Sequence, residues 1–284
     1  MRFRAPARLT RPVTGRSTTQ ARVIAGDGGA GTIASRPLLR PLSSWIPARR
    51  FRGPILDGVQ RHGRTQPLPD DATGLAAFVR DRCRLLPVPD VPGIRLYLAA
   101  DVYTVWEQTE RELGGREVPP PFWAFAWPGG QALARYLLEH AETVAGRTVL
   151  DLGSGSGLTA IAAALAGAAA VTASELDPFA VRAIGLNAAA NQVAVEVTGD
   201  VLEGDGEGAE VILAGDIWYE RCLADRALGL LRRAAERGAL VLAGDVGRAF
   251  LPRDQLRPVA SYRLRVAADL EDKPVKDVQI LTLR

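Results

Sequence analysis

Three short stretches of this 284-residue chain carry residues whose type and spacing could do chemistry. In Val149-Leu150-Asp151-Leu152-Gly153-Ser154-Gly155-Ser156-Gly157 an apolar run takes in one acid, then passes into alternating glycines ahead of the apolar segment Leu158 to Leu165. That order predicts a buried strand, a tight turn and a helix, with backbone N–H groups left open to a ligand lying on the turn. Gly153, Ser154, Gly155 and Gly157 are therefore candidates to cradle a nucleotide-like cofactor, and Asp151 is placed to meet an amino group on it. Leu158 stands where a dinucleotide fingerprint has its third glycine, which argues against hydride transfer. Glu175 follows the next apolar run, in the place of a carboxylate that grips two ribose hydroxyls, although a helix N-terminal acid would stand there too. Asp200 comes after the third run, either to accept from an adenine amine or as an exposed loop acid beside Gly199. The last stretch, Asp216-Ile217-Trp218-Tyr219, follows the fourth run, at the edge where open α/β sheets place their chemistry.

Strands must deliver these groups to one edge. From Arg147 the chain alternates short and longer apolar segments: Thr148 to Leu152, Leu158 to Leu165, Ala170 to Ser174, Pro178 to Asn191, Val193 to Thr198, Glu210 to Ala214, Leu223 to Glu236 and Leu240 to Ala243. Such alternation predicts a parallel sheet with helices on both faces. Tyr262 to Val266 and Val278 to Leu283 have only a polar loop between them, so an antiparallel hairpin is expected to close the sheet. The fold class is α/β, a Rossmann-like sheet of seven mostly parallel strands over residues 147–284. Residues 70–146 are expected to form a small, mainly helical cap. There Leu75, Phe78, Val79 and Leu86 recur at helical spacing, and Ile94, Leu96 and Leu98 alternate as a strand does. Val105, Trp106 and Leu113 mark a second helix, and Leu133, Tyr136 and Leu137 share one side of a third, starting near Gly130.

The net charge of +3 hides a division. Residues 1–69 hold thirteen arginines against Asp27 and Asp57, a net +11, while residues 70–284 carry a net −8. The basicity of the whole chain is thus no argument for nucleic acid. The Arg-rich stretch 1–69 has no sustained period and is expected to be disordered. Its composition also resembles an organelle transit peptide without an amphipathic helix, and a start codon set too far upstream would look the same. Cys83, Cys222, His62 and His140 lack the spacing of a disulfide framework or a zinc site, so no metal is expected. The longest apolar run, Leu158 to Ala173, is too short to span a membrane comfortably. The expectation is a monomer in the cytoplasm, or in the mitochondrial matrix if the source is eukaryotic, with no nucleic-acid or membrane partner.

Asp151 to Gly157, Glu175 and Asp200, at successive strand ends, resemble the class I, seven-β-strand S-adenosylmethionine-dependent methyltransferases across roughly residues 147–284. Relatives that methylate amino groups of DNA and RNA have an Asn/Asp-Pro-Pro-aromatic motif after the fourth strand; this chain lacks both prolines. Asp216-x-x-Tyr219 instead resembles the DxxY signature of the family-16 protein lysine methyltransferases. Upstream, Pro121-Phe122-Trp123-Ala124-Phe125-Ala126-Trp127-Pro128-Gly129-Gly130-Gln131-Ala132-Leu133-Ala134-Arg135-Tyr136-Leu137 is similar to the electron-transfer-flavoprotein β-subunit lysine methyltransferases and their bacterial relatives. Leu85-Leu86-Pro87 and Glu175-Leu176-Asp177-Pro178-Phe179-Ala180 extend the likeness over about residues 72–284, with the first 69 outside it.

The resemblance implies S-adenosyl-L-methionine as cofactor, on Asp151, Gly153, Ser154, Gly155, Gly157, Glu175 and Asp200, with Trp127 lying against it. Trp123 and Trp127 would also serve as core aromatics. Trp218 and Tyr219 would line a channel for the acceptor, although core packing explains Trp218 equally. The implied reaction methylates lysine on a protein, the β subunit of electron-transfer flavoprotein being the candidate, and an acidic fold suits a lysine-rich target. The alternatives are a small-molecule amine, a ribosomal-protein lysine, or a cofactor-binding scaffold without turnover. Against the scaffold stands the presence of Asp216 and Tyr219 beside an intact turn. A lysine ammonium, with a pKa near about 10.4, must lose a proton before it can attack. A dry aromatic channel disfavours its charge and a carboxylate favours it, so Asp216 is expected to orient and receive the amine, not to act as a strong base.

Overall fold

The computed structural model describes residues 72–112, 120–206, 208–266 and 274–284. The expectation for residues 1–69 and the place of Leu113 lie outside these. Helix α1 (Ala72–Arg82) leads into an antiparallel hairpin of β1 (Arg84–Val88) and β2 (Val91–Leu98). Leu86, expected on a helix, is corrected to β1, where its side chain is exposed. Pro87 explains the change: it offers no amide to a helix and drives the residue before it out of the α region. After α2 (Val102–Glu112) and a 3-10 turn (Phe122–Ala124), helix α3 spans Pro128–Glu139. Its start, two residues before Gly130, follows from Pro128 at the first helical position, where a missing amide costs nothing.

The main sheet contains β3 (Thr148–Leu152), β4 (Ala170–Ser174), β5 (Glu196–Thr198), β6 (Val211–Gly215), β7 (Leu240–Asp245), β8 (Leu256–Arg265) and β9 (Val275–Leu283). Helices α4 (Leu158–Leu165), α5 (Pro178–Ala190) and α6 (Arg221–Glu236) connect its parallel part. The strand order is β5-β4-β3-β6-β7-β9-β8, with β3 to β7 parallel and β9 antiparallel to both neighbours. The expected α/β fold with its closing hairpin is therefore observed. The order reverses at β3, which pairs with β4 on one side and β6 on the other. Such a switch point opens a crevice at the carboxyl ends of the strands.

Apart from Thr148, β3 is buried residue after residue, as a strand covered on both faces must be. One face carries a core of Leu133, Leu137, Ile161 and Ile184 from α3, α4 and α5, packed on Val149 and Leu213. The other is covered by α6, whose Ala224, Ala227, Leu230, Leu231 and Ala234 form a single apolar stripe. A third cluster, including Phe78, Val105, Trp123 and Phe179, joins α1, α2 and the 3-10 turn to α5. β8 begins six residues before the expected Tyr262 because, at the sheet's edge, it exposes Arg257, Pro258 and Val259 and so shows little apolar alternation. Among the described residues no helix is long and apolar enough to cross a membrane.

Candidate active site

Gly153, Gly155 and Gly157 have φ values of 63°, 55° and 82°, which an L side chain reaches only with strain. Their uses differ. A Cβ on Gly157 would press on Ile184 at 3.3 Å, so that glycine lets α4 and α5 approach, whereas a Cβ on Gly155 would meet nothing within 4 Å. Gly155 thus presents an open backbone surface. Beneath it Asp151 Oδ2 accepts hydrogen bonds from Ser154 Oγ (2.6 Å) and Ala160 N (3.1 Å). Burial pushes the Asp151 carboxyl up to about 7, against those two bonds and with a small addition from the charge of Glu175.

Glu175 turns back to the same turn. Its Oε2 accepts from Gly155 N (2.9 Å), and its Oε1 from Leu176 N (2.7 Å) and Asp177 N (3.1 Å). The N-cap of α5 is instead Asp177, which accepts from Phe179 N at 2.8 Å. Glu175 is thereby held at the turn and oriented by three amides. Asp200 has a use that the sequence did not show. Its Oδ2 pairs with Arg226 of α6 (2.8 Å) and its Oδ1 accepts from Leu202 N (2.9 Å). Burial works to raise its carboxyl, but the bonds from Arg226 and Leu202 outweigh that and hold it low.

Asp216 directly follows β6 with a φ of 55°, a left-handed conformation that few residues besides glycine, asparagine and aspartate adopt. Several bonds hold it there. Its amide donates to Gly244 O (2.9 Å), its Oδ2 accepts from Gly129 N at the start of α3, and its Oδ1 accepts from Arg248 Nε (3.0 Å) and Nη2 (2.9 Å). The side chains of Arg248 and Asp216 are only 12% and 7% exposed. Helix α3 comes this close because Gly129 and Gly244 face each other: a Cβ on either would overlap the other's carbonyl oxygen. The group expected to receive an amine is thus first the clamp that seats α3 and Arg248 on the sheet.

Arg248 is itself positioned by Asp245, which ends β7 with 1% exposure. Asp245 Oδ1 accepts from Gly247 N (2.5 Å) and Arg248 N (2.7 Å). Burial pushes this carboxyl up to about 7, the charge of Asp216 adding to the rise and Arg248 opposing it. The Arg248 guanidinium lies over the Trp127 ring, 5.5 Å from its centroid. Trp127 Nε1 donates to Phe122 O (2.8 Å), and the Phe122 ring lies 5.8 Å from Trp127 and 5.4 Å from Tyr219. Burial raises the Tyr219 hydroxyl, and the charges of Glu175 and Glu220 add to it. An aromatic wall therefore runs from the Glu175 side to the Asp216–Arg248 pair. Trp218, for which core and channel were both open, is wholly buried in the core beneath α6. Trp123 is core as well, stacked on Phe179 at 6.3 Å.

Arg248, Asp245, Gly129 and Asn187 were not singled out from sequence. The expected segment Leu240 to Ala243 stops two residues short of Asp245, whereas β7 runs to it. The signal was present in its place after the strand, matching the acids after the other strands. Asn187 is fully buried; its Nδ2 donates to Ser156 O (2.8 Å) and its Oδ1 accepts from Tyr97 N (2.7 Å), so one side chain joins the glycine turn to β2.

A family model described as ribosomal protein L11 methyltransferase (PrmA) matches residues 131–234. The chain is 36% identical over 222 residues to the electron transfer flavoprotein beta subunit lysine methyltransferase of Xenopus laevis, covering 75% of this chain and 88% of that one. With the protein of the same name from Danio rerio it shares 47% identity over 134 residues, 46% of this chain and about half (52%) of the relative's length. It is also 38% identical over 151 residues to the ribosomal protein L11 methyltransferase of Trichlorobacter lovleyi, covering 49% of this chain and 48% of that one.

Proposed function

Since the chain belongs to the family of the electron transfer flavoprotein beta subunit lysine methyltransferases, we propose that it transfers methyl groups from S-adenosyl-L-methionine to lysine side chains of a protein, with the electron transfer flavoprotein β subunit as the first candidate. The observation that carries this reading is the Asp216–Arg248 pair at the head of α3, bordered by Trp127, Phe122 and Tyr219 and adjoining the glycine turn. The residues suit the cofactor. Gly155 offers an open backbone, Asp151 an ionisable partner for its amino group, and Glu175 a carboxylate already oriented for the ribose. When bound, the cofactor supplies a methyl group on a positively charged sulfur.

This chain's residues prepare the acceptor. The aromatic wall holds the aliphatic stem of a lysine and excludes water from its head, which disfavours the ammonium form and eases loss of its proton. Because Arg248 already balances Asp216, that carboxylate holds the ammonium less firmly than an unpaired one would. The net −8 of residues 70–284 favours encounter with a lysine-rich segment.

The direct test is intact-mass spectrometry of purified electron transfer flavoprotein incubated with the enzyme and S-adenosyl-L-methionine. Mass increments of one or more methyl groups on the β subunit are expected. An unmodified subunit, from an enzyme that binds S-adenosylhomocysteine, moves the reading to another amine.

Cofactor binding should also depend on pH. Without ligand Asp151 holds its proton below about 7 and becomes the partner of an ammonium only above it. The affinity for S-adenosylhomocysteine, followed by calorimetry, is expected to rise several-fold between pH 6 and 8, and Asp151→Asn to flatten that rise. A flat profile in the native chain would take the amino group away from Asp151.

A further inference from the structure

Asp245 is a buried carboxylate that the scheme above leaves unused. Along the carboxyl edge the strands run β4, β3, β6, β7, so the groups run Glu175, the glycine turn, Asp216, Asp245. Asp245 therefore stands beyond Asp216, on the side away from the cofactor turn. Its Oδ1 is engaged with two amides, but its Oδ2 is buried with no hydrogen-bond partner among the described residues. An acceptor left this way is costly, and a donor that completes it is favoured accordingly. The charged groups that act on it are Asp216 and Arg248. Its partner on β9 is Gln279, and α3 sets Gly129 and Leu133 against the neighbouring Gly244, none of them charged. The Arg248 guanidinium is thus held directly by Asp216, and its charge acts on Asp245 as well.

We propose that Asp245 is the recognition residue for the acceptor amine, its Oδ2 taking an N–H from the alkylammonium head of a lysine that enters along the wall of Trp127, Phe122 and Tyr219. This rests on the lysine-methylation reading. It also explains why Asp216 can be tied to Arg248 without loss of the acceptor site. A trimethylated head has no N–H to give, so the fully methylated side chain is not retained.

The test is calorimetry on the full chain saturated with S-adenosylhomocysteine, titrated with Nα-acetyl-lysine methylamide and with its Nε-trimethyl counterpart. The lysine probe is expected to bind the native chain several-fold better at pH 8 than at pH 6, because Asp245 is neutral below about 7, and the trimethyl probe much less well. Asp245→Asn keeps the oxygen that accepts from Gly247 and Arg248. It is expected to weaken the lysine probe at least tenfold and remove the pH dependence, with affinity for S-adenosylhomocysteine unchanged. No binding of the probe to the native chain, or equal affinity in the variant, overturns the proposal. Methylation of a protein lysine with equal probe affinity in Asp245→Asn refutes the role of Asp245 alone. Probe binding lost in the variant, with no protein methylated, supports that role and refutes the protein substrate.

Discussion

Asp216→Ala is expected to lower the methyl-transfer rate at least 100-fold and to reduce the melting temperature with it. The substitution takes the carboxylate from the Arg248 guanidinium and from the Gly129 amide together. Removing one partner of a buried ion pair costs about 3 to 5 kcal/mol in proteins generally. Alanine also tolerates the φ of 55° poorly, whereas asparagine accepts that region and keeps one oxygen for Gly129. Asp216→Asn therefore separates the two roles: its melting loss should be the smaller, with the rate still far below native. Single-turnover rates measured beside thermal melts decide the point. Native turnover in either variant would exclude Asp216 from the reaction, and melting losses with native turnover would leave it a purely structural clamp.

Gly155→Arg should abolish binding of S-adenosylhomocysteine, at least 100-fold in affinity, while the fold survives. The left-handed backbone there costs a side chain about 1–2 kcal/mol, and its Cβ meets nothing within 4 Å. The added bulk then fills the surface on which the cofactor is expected to lie. The same change at Gly157 would be a poor test, because Ile184 stands 3.3 Å from the new Cβ and loss of fold would mask loss of ligand. Calorimetry with a melt as control reads the outcome. Binding at native affinity would remove the cofactor from this turn.

The parts of this fold that were legible in the sequence are those written locally. The bounds of β3, α4 and β4 agree to the residue with the expected segments, since each is an apolar run set off by glycine or a polar break. The glycine turn and Glu175 lie only 20 residues apart where they meet. The Asp216 cluster is different. Gly129 reaches Asp216 across 87 residues and Arg248 across 32, and nothing near either marks the partner. A DxxY spacing finds the carboxylate but not the arginine that balances it. Trp218 shows the same limit, because a tryptophan beside a functional acid reads alike whether it faces a channel or the underside of α6. Leu86 lies in β1 and not on a helix for a local reason, the proline one residue later.

The bridge made by Asn187 bears on the order in which the molecule assembles. Its bond to Ser156 closes a loop of 31 residues, but its bond to Tyr97 spans 90, and the neighbouring Asn191 reaches Arg95 across 96. Contacts so distant along the chain gain nothing until the intervening segments are compact, and the entropy of closing such loops must be overcome first. The β1–β2 hairpin is accordingly expected to dock late, onto a helix that the parallel strands set in place. Once docked it is held by more than those bonds, because its Val88, Ile94 and Leu96 are fully buried in the main core.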